Sequence, residues 1–531
     1  MSPTSHSSEV SKDSPASRKT RWPVRLLFVL ALMAGVLFTI GSIHHDLSGF
    51  AASSLTWSAI VLLGLALFIA LGFEFVNGFH DTANAVATVI YTHSLAPTTA
   101  VIWAGLCNFL GVLLSSGAVA FGVVALLPID LVLNNNVDTG FAMVFALLLS
   151  AIVWNLFTWW KGIPASSSHT LIGSMIGVGL ANALIHHGNM QGVNWGQATK
   201  IAYALLFSPL IGFIFAGLML LAFKLFIKNK ALYDAPRDGV PPPMWIRGLL
   251  IASSSGVSFA HGSNDGQKGM GLIMLILVSL VPAAYALDRY STDHDLPAFA
   301  ASAYETQQAL VMQAPQAAPE HPEQVLKQYL SSHEERDDLV PALAALSGNI
   351  HQQLLQMASF KEVPSDQIRA IHDDMYIASE SIRTLAKSGH QHFSDASQHH
   401  MMAFKSHLDD AIKFIPIWVK VVTALALGLG TVVGWKRVVH TVGEKIGKSR
   451  MTYAQGVSAQ TVAMATIGAA DVIGLPVSTT HVLSSGVAGT MAANRSGLQW
   501  STLRNLAMTW ILTVPVTILM SGGLYWLFLQ I

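Results

Sequence analysis

The chain has 531 residues, 30 basic and 30 acidic side chains, a formal net charge of zero and a single cysteine. Charged residues make up 11% and hydrophobic residues 52%, with mean hydropathy +0.49, whereas an ordinary soluble domain carries roughly 25% charge. These values exclude a soluble globular protein and describe a polytopic membrane protein. The basic residues fall in short loops between apolar runs and make no continuous basic surface, so nucleic acid is excluded as a partner. Cys107 alone provides neither a disulfide framework nor a thiolate metal site, and reads as a small core residue.

Residues 1–22 form a polar, Ser-rich leader ending in Arg18, Lys19 and Arg21. An extra apolar span follows at 23–43, and basic residues before a first span place the N-terminus in the cytoplasm. A cleaved signal peptide is the rival reading, disfavoured because the leader is long and no small-x-small site closely follows. Further apolar stretches fall near 57–92, 98–127, 140–160, 164–186, 200–227, 248–285, 412–435, 452–473, 476–492 and 504–529, each about long enough for one crossing of ~20 residues. Alternating sides puts Lys161, the 228–247 linker and the Lys436 to Arg450 loop all inside, as the positive-inside rule requires.

The cytoplasmic linker 228–247 carries Pro241-Pro242-Pro243 and divides five crossings from five. The first transport repeat is 57–227, and the second is 248–285 together with 412–531. An odd number of spans per repeat inverts the second copy, the plan of many secondary transporters. The expected fold is therefore an all-α polytopic membrane protein of two inverted-topology repeats. It would have about 10–11 apolar spans, some broken or re-entrant, notably those opening at Pro164 and Pro476. Residues 286–410 interrupt the second repeat as a soluble insert with 8 Lys/Arg against 18 Asp/Glu and ten of the 21 histidines. The crossing order places it outside, in the periplasm. Helical apolar spacing at 324–330, 339–357 and 366–385 predicts a small helical subdomain. His390, His392, His399 and His400 are irregularly spaced and read as a solvated face rather than a metal site.

Two phrases occur twice in the same order. Pro164-Ala165-Ser166-Ser167-Ser168-His169 returns as Pro476-Val477-Ser478-Thr479-Thr480-His481, and Gly78-Phe79-His80-Asp81-Thr82-Ala83-Asn84 aligns with Gly262-Ser263-Asn264-Asp265-Gly266-Gln267-Lys268. Three hydroxyls after a proline at a helix start offer side-chain donors, unpaired backbone N–H groups and the positive end of the helix dipole, an arrangement suited to a tetrahedral oxyanion. Plain N-capping is the competing reading, but capping alone gives no reason for the same string in both copies. Ser166, Ser167, Ser168, Ser478, Thr479 and Thr480 are thus expected to hold the anion. Asp81 and Asp265 are acids at the depth of apolar spans, where an ionised group marks an ion or proton path. A carboxylate near phosphate needs a cation between them: a proton, a metal, or Lys268. Asn84, Asn264 and Lys268 are expected to set orientation and charge around the substrate. His80 is the expected proton relay, with His169, His261 and His481 flanking the same motifs, and Glu74 is a candidate pathway residue.

These residues resemble the inorganic phosphate transporter (PiT) family, whose Gly-x-Asn-Asp-x-x-Asn and Pro-x-Ser-Ser/Thr-Ser/Thr phrases recur in inverted halves. The resemblance covers about 57–530 without most of the insert. In particular it is similar to the bacterial low-affinity phosphate:proton symporters, which share the Asn77 to Asn84 and Asn264 to Gly269 strings and a soluble insert at this place. It implies transport of phosphate as a neutral divalent-metal complex with a proton. His80 in place of an Asn and Lys268 in place of an Asn each remove a neutral sodium ligand, which favours protons over sodium. The extra span at 23–43 departs from the usual ten-span plan.

The function expected is a secondary active importer of inorganic phosphate, as a metal-phosphate complex in symport with protons, in a multi-pass protein of the cell inner membrane. No catalytic residues and no resident cofactor are expected; a divalent metal such as magnesium would travel with the substrate, with Asp81 and Asp265 as its contacts. Expected partners are phosphate, protons, the metal ion and membrane lipid, with homo-oligomerisation left open. The alternatives are a divalent-metal importer, a sodium-coupled phosphate symporter, a membrane hydrolase and a phosphate sensor. The hydrolase is weakened because Ser168 and His169 are adjacent in sequence and do not face each other on a helix. The sensor lacks a cytoplasmic output segment.

Overall fold

A computed structural model describes residues 15–49, 56–133, 137–188, 193–237, 239–289, 291, 295–388, 393–433, 435, 439 and 446–531. Helix α1 (Pro15–Gly49) precedes the first repeat, which holds α2 (Trp57–Tyr91), α3 (Pro97–Leu113), α4 (Ala118–Val124), α5 (Ile129–Val132), α6 (Val137–Trp160), α7 (Ser167–His187) and α8 (Trp195–Phe226). The second repeat has α9 (Met244–Leu280) and α10 (Pro282–Tyr285), then the insert helices α11 (Leu296–Gln313), α12 (Pro322–Ser332), α13 (Leu339–Leu355), α14 (Ile368–Ser388) and α15 (Asp395–Ile412). It resumes with α16 (Ile417–Val432), α17 (Tyr453–Ile473), α18 (Thr479–Ala493) and α19 (Trp500–Phe528).

The all-helical expectation holds: the described residues contain no strand, only one isolated bridge between Gly447 and Leu498. Seven described helices are long and apolar enough to cross a membrane, and two bent pairs bring the number to nine. The stretch expected as one crossing over 98–127 is broken, α3 and α4 meeting at 77°. The break lies at Gly117, whose φ of +92° is open to glycine. The stretch at 412–435 likewise begins at a 72° bend between α15 and α16, where Pro416 caps α16 and denies the chain a continuous helix. Two expected crossings fail the length-and-hydropathy criterion for physical reasons. Helix α9 carries the polar string from His261 to Lys268 in its middle, and α18 is only 15 residues long.

The duplication is visible in the packing. Helix α2 lies on α16 as α9 lies on α3, and α8 lies on α18 as α19 lies on α7, so each repeat grips the other. Equivalent glycines permit the close approach. A Cβ at Gly78 would stand 2.2 Å from the Leu427 carbonyl oxygen, and one at Gly262 would stand 2.2 Å from that of Asn108. One turn on, a Cβ at Gly111 would lie 2.1 Å from the Phe259 oxygen and one at Gly430 2.1 Å from that of Phe75. Small residues at such crossings let backbones meet in lipid, where association depends on packing rather than on hydrophobic burial. The long pair α8 and α19 repeat each other even to an internal proline, Pro209 and Pro515.

Helix α1 lies outside this arrangement, against α16. Its Asp46 is buried and accepts from Tyr285 Oη at 2.8 Å and Trp418 Nε1 at 3.1 Å, fastening α1 beside the α9–α10 and α15–α16 junctions. The insert helices pack on one another, with α12, α13 and α14 lying over the three predicted helical stretches. Insert and repeats touch through Arg383 of α14, which donates to Gln197 Oε1 of α8 at 3.3 Å.

Candidate substrate and ion site

Both hydroxyl triplets start helices, because Pro164 and Pro476 end the preceding segment and the first serine of each triplet closes the next. Ser166 accepts from His169 N and Ser478 from His481 N, each at 3.2 Å, so these two are N-caps. This is the capping reading, realised at the first position of each triplet. The remaining hydroxyls lie at the helix N-termini, where backbone N–H groups and the dipole favour negative charge. All six residues are buried.

The two N-termini abut. Ser168 Oγ donates to the Val477 carbonyl at 2.8 Å, and the His169 and His481 rings lie 4.4 Å apart. Against this junction α2 and α9 bring their acids. Asp81 accepts hydrogen bonds from Ser167, out of α7, and from Thr480, out of α18, the latter at 2.9 Å. Ser167 Oγ also lies 3.4 Å from Asp265 Oδ2, so one hydroxyl bridges acids of both repeats. Lys268 Nζ sits 2.6 Å from Asp265 Oδ1 and donates to Ser168 Oγ at 2.5 Å and to the Val477 carbonyl at 3.3 Å. Residues separated by up to 399 positions in sequence thus form one buried polar cluster.

His80 lies at its edge, with Nδ1 2.9 Å from Asp81 Oδ1 and Nε2 3.2 Å from Thr158 Oγ1. His261 presents Nε2 3.5 Å from Asp265 Oδ2 and is held from behind by Asn108 Oδ1 at 3.0 Å. Asp81, His261 and Asp265 each offer one ligand atom within 4.8 Å of the others. That set of two carboxylates and an imidazole suits a divalent cation bound through N and O ligands. Asn264, expected to orient substrate, instead clamps the break before α18: its amide donates to the Leu475 carbonyl at 3.1 Å and accepts from Val477 N at 3.3 Å. The Asn84 side chain lies outside the described residues. Thr479 is buried at the junction, and its Oγ1 has no hydrogen-bond partner among the described residues. Glu74 is fully buried one turn from the motif, so close to α9 that a Cβ at Gly269 would lie 2.3 Å from its Oε1.

Sequence reasoning passed over Asp471, which accepts from Ser263 at 2.6 Å and Gln267 at 2.5 Å and so ties α17 to the motif face of α9. Its signal was available: a lone carboxylate in an apolar run five residues before Pro476. Asn108, Thr158 and Thr431, which accepts from Asn108 Nδ2 at 3.0 Å, gave no such signal, since an isolated amide or hydroxyl in a membrane helix is common and its partners are set by packing alone.

A profile described as the phosphate transporter family matches residues 77–521, both repeats and the insert included. The chain belongs to the phosphate transporter family. It is 42% identical over 490 residues to the low-affinity inorganic phosphate transporter PitA of Escherichia coli (strain K12), covering 88% of this chain and 97% of that protein. A probable low-affinity inorganic phosphate transporter of Bacillus subtilis (strain 168) is 28% identical over 469 residues, covering 88% and 97%. A solved structure, the sodium-dependent phosphate transporter, superposes with a TM-score of 0.50 at 20% identity, covering 89% of this chain and all of that one, and shares the fold. Membership of this family makes the chain a multi-pass membrane transporter and not an enzyme.

Proposed function

We propose that this transporter imports inorganic phosphate across the inner membrane, as a neutral divalent-metal complex, in symport with protons. The observation that carries the reading is the abutment of two hydroxyl-bearing helix N-termini on the buried set Asp81, Asp265 and Lys268. Phosphate oxygens would take hydrogen bonds from Ser167, Ser168, Thr479, Thr480 and the free N–H groups of α7 and α18, with Ser166 and Ser478 fixing the ends of those helices. The metal bound to phosphate would contact Asp81, Asp265 and His261 and separate like charges. Relatives named low-affinity inorganic phosphate transporters, 42% identical here, support phosphate as the substrate.

Protons would enter at Asp81 through His80. Asp81 here accepts two hydroxyls that the substrate also needs. A proton on Asp81 converts an acceptor oxygen into a donor and releases a hydroxyl toward the anion, which links proton and phosphate uptake. Lys268 supports proton coupling over sodium coupling, because its ammonium already occupies the Asp265 oxygen that a sodium ion would take. Because α2 and α9 carry the acids while α7 and α18 carry the hydroxyls, relative motion of these pairs would open the site to one side at a time.

The test is labelled phosphate uptake into proteoliposomes under an imposed proton gradient, with and without magnesium and with and without sodium. Uptake that needs the proton gradient and magnesium and ignores sodium is expected. Sodium dependence would replace protons as the coupling ion, and metal uptake in the absence of phosphate would reassign the protein as a divalent-metal importer.

A further inference from the structure

A groove of about 940 Å³ runs between α8 and α17. One wall is the ridge Tyr203, Phe207, Ile211 and Phe215, spaced every fourth residue along one face of α8. The facing wall on α17 includes the small or short side chains Val462, Thr466 and Ala470. From residue 203 to 215 the helix rises about 18 Å, close to half of the ~30 Å hydrocarbon core. The groove thus has the length of one leaflet and the chemistry of an acyl-chain slot.

Its polar end is cationic. Lys200 and Arg383 both line it there; Lys200 is exposed and has no ion-pair partner among the described residues. Arg383 pairs with Glu380, donates to Gln197 and keeps Nε without a hydrogen-bond partner among the described residues. Behind it Lys413 bridges Glu380 at 3.1 Å and Asp409 at 2.8 Å, and Lys405 pairs with Asp409 as well. Three cations therefore face two carboxylates, and Lys200 adds a fourth. Asp471, the carboxylate at this end of α17, is turned toward α9 by Ser263 and Gln267. Exposed Trp195, one turn before Lys200, is the residue type that sits at headgroup level.

We infer that this groove binds an anionic phospholipid, with one acyl chain between α8 and α17 and the phosphodiester against Lys200 and Arg383. A second copy of the chain is the poorer occupant, because the cations are confined to one end of an otherwise apolar slot, the distribution of charge in a lipid. The site bears on transport. Its lining includes Gly474, Leu475 and Val477, the same segment whose backbone holds Asn264 and Lys268. A lipid seated there braces the break that presents Ser478, Thr479 and Thr480.

The test uses the full chain in nanodiscs of phosphatidylcholine doped with phosphatidylglycerol, with native mass spectrometry to count retained lipids. Wild type should retain phosphatidylglycerol in preference to phosphatidylcholine. Lys200→Gln should cut that retention about fivefold, as removal of one surface cation implies, and Lys200→Arg should restore it. Folding of the Lys200→Gln variant is checked by its unchanged melting temperature. Equal retention of the two lipids, an unchanged Lys200→Gln, displacement by free glycerol phosphate, or cross-linking of α8 to a second copy would each overturn the inference. Because the readout is lipid mass, failure of phosphate or proton coupling leaves this result unaffected.

Discussion

Breaking the Asp265–Lys268 pair tests the buried cluster most directly. Both side chains are 1% exposed and their charged atoms are 2.6 Å apart. At an effective dielectric of 20 that separation gives a Coulomb attraction of about 6 kcal/mol, from which the desolvation of both ions subtracts several. Removing one partner forfeits the attraction and leaves the other buried and unpaired, which costs about 3–5 kcal/mol. Lys268→Met should sit at the lower end, since Ser167 and His261 remain beside Asp265; Asp265→Asn should cost a similar amount, since Ser168 and the Val477 carbonyl remain beside the ammonium. The double variant removes both charges and should cost much less than the sum, with a coupling energy of about 3 kcal/mol. Denaturant unfolding of the four proteins in detergent micelles measures this cycle. Additivity of the two single effects to within about 0.5 kcal/mol would show that the pair is not formed, and the placement of Lys268 in the ion site would fall with it.

Three further outcomes follow from the packing and charge of other regions. Gly78→Val should destabilise by at least about 1–3 kcal/mol through overpacking against the Leu427 carbonyl, whereas Gly72→Ala on the same helix, with nothing within 4 Å of its new methyl, should be neutral or slightly stabilising; melting temperatures of the two variants compare them. Asp46→Ala should remove the acceptor shared by Tyr285 and Trp418, loosen α1 by about 1–3 kcal/mol and expose it to protease, while uptake by the two repeats persists. Burial alone would push the Glu380 carboxyl up, but Lys413 and Arg383 outweigh it and hold it below the ordinary carboxylate value. Its stabilising contribution is therefore full above the unfolded-state value and is lost as pH falls through the lower folded-state one. Hydrogen-exchange protection factors across α14, referred to the intrinsic rate at each pH, should fall on acidification in wild type, and Glu380→Gln should flatten that dependence.

Sequence alone determined the class and the plan of this protein. Charge content and apolar run length require a membrane bundle, because nothing but helices or closed barrels satisfies backbone groups in lipid. Two motifs repeated in order reveal the duplication, and an odd number of crossings inverts it. The residue types in those motifs also announced their chemistry, since acids, an ammonium and hydroxyl triplets at membrane depth need one another. Which atom meets which was decided by the tertiary structure. Ser166 and Ser478 became caps while their neighbours turned inward, a difference set by where each helix begins. Asn264 went to the backbone of a break 211 residues away, and Asp81 took its hydroxyls from both repeats. Local periodicity carries no record of such contacts, because they arise only when two inverted halves interlock. The fastening of α1 by Asp46 belongs to the same category, fixed by packing partners distant in the chain.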